Sequence, residues 1–141
     1  MKSMISKTMM LVVLGMTHFS FTPKPGGEGF EIFLNSKVVI QRFGSEVNSV
    51  NNLQLNPAAV NDMLTIKYHH CGRVGKNRIV TIKDGENNVL KVFRYADVAV
   101  PVAEMTLPVK DILVLKKGNG SLKLFYASTE LPNGRLLANI N

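Results

Sequence analysis

The chain of 141 residues has one cysteine and no tryptophan. A lone Cys71 excludes an internal disulfide. In an oxidising compartment such a thiol is buried, reactive, or bonded to a second chain. With no tryptophan and only three tyrosines, the chain is short of the flat aromatic platforms that sugar-binding sites often use. Acidic residues are scarce, ten against 17 lysines and arginines, for a formal charge of +7. The carboxylates are scattered, so spacing nominates no acid/base pair. No apolar run reaches the roughly 20 residues that a membrane-crossing helix needs.

What is present begins at the N-terminus. Lys2 and Lys7 precede the uncharged run Met9-Met10-Leu11-Val12-Val13-Leu14-Gly15-Met16. A basic start followed by an apolar run of roughly 7–15 residues is the pattern of a secretory signal peptide. Residues 1–20 are therefore expected to be a signal peptide, with cleavage falling between Thr17 and Thr22. The expected address is secreted or periplasmic. No cysteine stands near the run, so a lipid-anchored cysteine is not available. Export makes nucleic acid an unlooked-for partner, and the mature chain is expected to carry no transmembrane anchor. Loss of Lys2 and Lys7 lowers the formal charge to about +5, a balance that favours anionic partners only weakly.

Residues 21–29 form a Pro/Gly-rich leader, and residues 30–141 have the length of one domain. Within it, Leu64, Ile66 and Tyr68 alternate with Thr65, Lys67 and His69, the period of a half-buried strand. Residues 37–43, 78–83, 89–95 and 121–128 read as further strands, the last with Leu122, Leu124 and Tyr126 on one face. Asp84-Gly85-Glu86-Asn87-Asn88 is the strongest turn signal and predicts a hairpin. Pro108 suggests an edge strand, residues 110–113 a single helical turn, and Leu131-Pro132-Asn133-Gly134 a turn. About eight short strands without sustained helical periodicity predict an all-β fold. Its expected form is a single antiparallel two-sheet sandwich, immunoglobulin-like or jelly-roll.

The segment richest in chemistry is His69-His70-Cys71-Gly72-Arg73-Val74-Gly75-Lys76-Asn77-Arg78. His69, His70 and Cys71 are ligand types for zinc or copper. A zinc site wants three protein ligands or more, and a copper site of the His-Cys-His kind usually has a histidine after the cysteine, which this chain lacks. Thiol catalysis at Cys71 would need a base within reach and a third, orienting group, and neighbours along a strand do not supply that geometry. Alternatively Arg73, Lys76 and Arg78 beside two glycines make an anion-binding loop, although the spacing is not that of a P-loop. The plain alternatives are a strand end whose Cys71 is buried and whose histidines sit at the rim, or an ordinary solvated hairpin loop. The 84–88 turn lacks the acidic spacing of a calcium loop, no Gly-x-Ser-x-Gly elbow occurs, and no motif for any cofactor is found.

The run from Leu64 to Gly85, with 109–113, 122–128 and 130–138, resembles small secreted bacterial β-sandwich proteins that are themselves uncharacterised. That resemblance implies secretion and a sandwich, and supplies no activity. The run Asn56-Pro57-Ala58-Ala59-Val60-Asn61-Asp62-Met63-Leu64-Thr65-Ile66, followed by 80–85 and 89–90, is more weakly similar to C-terminal sorting domains of the type nine secretion system. Their closing glycine-x-tyrosine segment and basic tail are missing. The sequence thus predicts a non-enzymatic interaction module. Its partner would be a protein, a surface polymer or another anionic ligand at the 69–78 loop, or a second copy joined through Cys71. The alternative is a metal or thiol redox protein centred on His69, His70 and Cys71.

Overall fold

The computed structural model describes residues 27–141; the expected signal peptide and residues 21–26 of the leader lie outside the described residues. Alternation builds the centre of the fold. In β4 (Met63–His70) Leu64, Ile66 and Tyr68 are buried, while Lys67 and His69 sit on the outer face. β4 lies between β1 (Glu28–Leu34) and β7 (Met105–Pro108), and β2 (Lys37–Phe43) pairs with the far side of β1. All pairings in this four-stranded sheet are antiparallel. β1 starts at Glu28, so the end of the leader is already strand. Pro108 ends the edge strand β7, where its missing N–H breaks no ladder.

The second sheet has the order β3 (Asn52–Leu53), β9 (Leu131–Ile140), β8 (Leu122–Ser128), β5 (Ile79–Asp84) and β6 (Val89–Arg94). Only β3 with β9 is parallel. Val80, Ile82, Leu122, Leu124 and Tyr126 point inward to meet Phe30, Ile32, Leu64, Ile66 and Met105 in one apolar cluster. Fully burying such side chains stabilises by about 2 kcal/mol each, which is what holds the two sheets together. The chain is an all-β two-sheet sandwich.

The hairpin at 84–88 forms as the sequence predicts. The Asp84 carboxylate accepts from the backbone N–H of Glu86 and Asn88 at 2.9 Å and from Asn88 Nδ2 at 3.0 Å. Such a side chain mimics the backbone of a turn. The Asn88 side chain above all, with these N–H groups, holds the Asp84 carboxyl below the usual range.

Two elements differ from the sequence reading. Leu131-Pro132-Asn133-Gly134 is the start of β9 rather than a turn, and the chain reverses before it, at Thr129 and Glu130. Register shifts between β8 and β9 absorb the irregular residues, with Gly134 at φ +71°. β3 covers only the last residues of β9, so Pro132 lies on an open edge. The second difference is α1 (Val109–Asn119), eleven residues where a single turn was expected. Val109 and Ile112 bury one side of it, and Lys116 and Lys117 in its last turn favour the negative helix end.

Pairing register fixes the two ends of the sandwich. β4 runs from Met63, opposite Pro108, to His70, opposite Glu28. The 71–77 loop therefore lies at one end, the loop end, and α1 at the other, the helix end.

Candidate functional site

Three separate segments meet at the loop end. Ile79, the first residue of β5, pairs with Arg94 on one side and Ala127 on the other. This brings together the 71–77 loop, the 129–130 turn and the connection after β6. Hydrogen bonds fasten them. Lys76 N donates to Glu130 Oε2 at 3.0 Å, and Thr129 N donates to the Lys76 carbonyl at 2.8 Å. Asn77 donates from its backbone N to Asp97 Oδ1 and from Nδ2 to Thr129 Oγ1, both at 2.9 Å. Cys71, Gly72 and Asn77 all have left-handed backbone, φ +55°, +83° and +52°. Glycine adopts that region freely and asparagine readily, whereas a cysteine there is strained.

The structure divides the three expected cations. Arg73 and Lys76 are exposed. Arg78 is 6% exposed and turned inward. Its guanidinium donates to the carbonyls of Ala96 at 2.9 Å and Ala103 at 3.3 Å. Arg78 is a tether between the start of β5 and the connection to β7, not part of a cationic surface. A planar fork that aims two N–H groups at two carbonyls suits an arginine to that task.

The three expected metal ligands do not converge. His69 lies on the outer face of the four-stranded sheet, its Nε2 2.8 Å from Glu31 Oε1 and its ring edge-on to Phe43. His70, one residue on, points into the core as alternation demands, and Cys71 is exposed to solvent rather than buried. Among the described residues no group of three or more histidine, cysteine or carboxylate side chains is placed to hold a metal ion.

His70 instead belongs to a buried polar cluster that the sequence reading missed. Its Nε2 shares a 2.7 Å hydrogen bond with the Tyr126 hydroxyl. Tyr126 stacks on Tyr68 across the two sheets, ring centroids 4.3 Å apart. The Tyr68 hydroxyl donates to Glu28 Oε1 at 2.7 Å, and Arg135 Nη2 donates to the same oxygen at 3.0 Å. Gly75 caps the imidazole: a Cβ there would sit 3.0 Å from Cδ2 and Nε2 of His70. The signal for this cluster was present, because Tyr68 and Tyr126 both fall on inward positions of their strands. Alternation gives a face, however, and not the partner across the core.

A serine–histidine contact within the cluster is closed to solvent. Ser128 Oγ is 3.4 Å from His70 Nε2, both residues are buried, and Ser128 Oγ already accepts the Leu131 N–H. A nucleophile needs a base at hydrogen-bond distance and access to substrate. Burial pushes the Tyr126 phenol up to about 12.

Burial also holds the His70 imidazole below the usual histidine value, with Glu130 and Glu28 opposing and Arg73 and Arg78 adding to the shift. Unfolded, the same side chain takes a proton near pH 6.5. The unfolded state then binds more protons than the folded one, so stability falls as pH drops from about 6.5 towards the lowered folded value. Urea unfolding at pH 7.5 and 5.5 is expected to show a larger loss for the native chain than for His70→Gln. Equal losses would mean that His70 is not held neutral.

No protein-family model matches the chain, and no curated protein matches it.

Proposed function

We propose that the chain is a non-enzymatic interaction module of the periplasm or the extracellular space, and that its loop end receives an anionic partner through Arg73 and Lys76. The supporting observation is the fastening of the 71–77 loop to Glu130, Thr129 and Asp97. A surface ordered before binding loses little entropy when a partner arrives. Among the described residues neither Arg73 nor Lys76 forms an ion pair with a carboxylate, so both charges are left for a ligand. Cys71 stands exposed beside them, where a bond to a second chain would join two loop ends. A single monomer band on a non-reducing gel would exclude that dimer.

Retention on immobilised heparin, a generic polyanion, tests the reading. Arg73→Ala with Lys76→Ala removes two screened charges worth up to about 1 kcal/mol each. The expected loss is about tenfold in affinity, with the thermal melt unchanged. Elution together with the native chain would sink the loop end as the anion-binding face. Arg78 stays in place in this experiment, because its loss would act through folding.

A further inference from the structure

A second surface lies at the helix end. α1 leaves β7 there and packs beside the 3-10 turn Pro57–Ala59. Val114 is 64% exposed and Val60 is 40% exposed. With Leu55, Pro57 and Leu113 they line two adjoining hollows of about 280 and 250 Å³ that share Pro57, Leu113 and Lys117. Lys110, Lys116 and Lys117 rim them. Among the described residues none of these lysines pairs with a carboxylate. Asp111, the acid of α1, is drawn away to Lys91 at 2.8 Å. Asp62 is the nearby acid beyond the helix, its carbonyl accepting from Val109 N at 3.0 Å.

We infer that this face docks on an anionic lipid bilayer. Lys110, Val114 and Lys117 follow one another at i, i+4 and i+7, so an exposed valine stands on a helical stripe between two amines. Lysine stems cover apolar surface while their heads remain in water, the disposition of a basic face lying in a membrane interface. The headgroups supply the negative potential, and the boundary beneath them receives Val114 and Val60. Each lysine near such a surface contributes roughly fivefold in affinity, on the order of 100-fold for three. A second copy of the chain is a poor occupant, since it would set the same lysines against each other. An acidic protein is the weaker fit. Protein anchors favour aromatic residues and the fixed fork of arginine, and this face offers valines and flexible amines.

The test is co-sedimentation of the chain purified from the exported fraction with phosphatidylcholine vesicles, with and without phosphatidylglycerol. The native chain is expected to pellet only with the anionic vesicles. Lys110→Gln, Lys116→Gln and Lys117→Gln together are expected to weaken binding by about 100-fold, and Val114→Asp to weaken it too. Vesicle binding lost with Arg73→Ala and Lys76→Ala together but kept by the triple substitution would place the lipid contact at the loop end and overturn the inference, which keeps this proposal separate from the loop-end reading. No binding, binding unchanged by the triple substitution, or binding indifferent to Val114→Asp would each overturn the inference. So would equal competition by soluble polyglutamate, which would mark an acidic protein site. A lipid-free dimer that the triple substitution dissolves would likewise assign the face to a second copy.

Discussion

Replacing Arg78 with alanine is expected to lower stability by about 3 kcal/mol, whereas Arg73→Ala and Lys76→Ala should each stay within about 0.5 kcal/mol. The three residues look alike in the sequence, and their surroundings separate them. The Arg78 guanidinium supplies two hydrogen bonds to the carbonyls of Ala96 and Ala103, in a connection that has no strand neighbour to satisfy it. Bonds from a charged donor are worth about 1.5–3 kcal/mol each. Against that, truncation releases a charged group from burial, including an Nε that has no partner among the described residues. The net effect therefore falls towards the lower end of the combined bonds. Arg78→Lys keeps the charge without the fork, reaches fewer carbonyls and should recover only part of the loss. Urea titration followed by circular dichroism reads all four variants. A loss under 1 kcal/mol for Arg78→Ala would show that the 96–104 connection is held by something else.

That divergence marks how far the sequence could be read. Alternation in 63–70 and 121–128 gave the inward faces of β4 and β8 correctly, because a period of two is a property of a single strand. The 84–88 hairpin was legible for the same reason: Asp84 makes its turn bonds to residues two and four positions away. The failures arose where a local signal met a tertiary one. Pro132 and Gly134 spell a turn, yet the open edge of β9 accommodates them within a strand. Val109, Ile112 and Val114 favour strand locally, yet packing of Val109 and Ile112 on the core makes them helix. At the candidate site the sequence supplied Arg73 and Lys76 but not Glu130, Asp97 or Tyr126. These lie 20 to 56 residues from their partners, and nothing in one chain's spacing reports contacts between segments so far apart.

Tyr126→Ala is expected to cost about 4 kcal/mol, the largest effect of any single change considered. The Tyr126 ring is fully buried and stacks on Tyr68 from the opposite sheet, so its removal opens a cavity at the joint between the sheets. Tyr126→Phe keeps that stack and removes only the hydroxyl. It should cost about 1–2 kcal/mol, the penalty for leaving buried His70 Nε2 without its closest partner. The second variant is the more informative. His70 lies under Gly75, and the next residue, Lys76, fastens the loop to Glu130 and Thr129. If the buried cluster supports the loop, Tyr126→Phe should speed amide hydrogen exchange at Lys76, Asn77 and Thr129 beyond its effect on the core strands. Ile82→Val, a buried change of comparable cost, supplies the control. Exchange at the loop end that rises equally in both variants would show that the cluster stabilises the sandwich as a whole and does not act on the binding end.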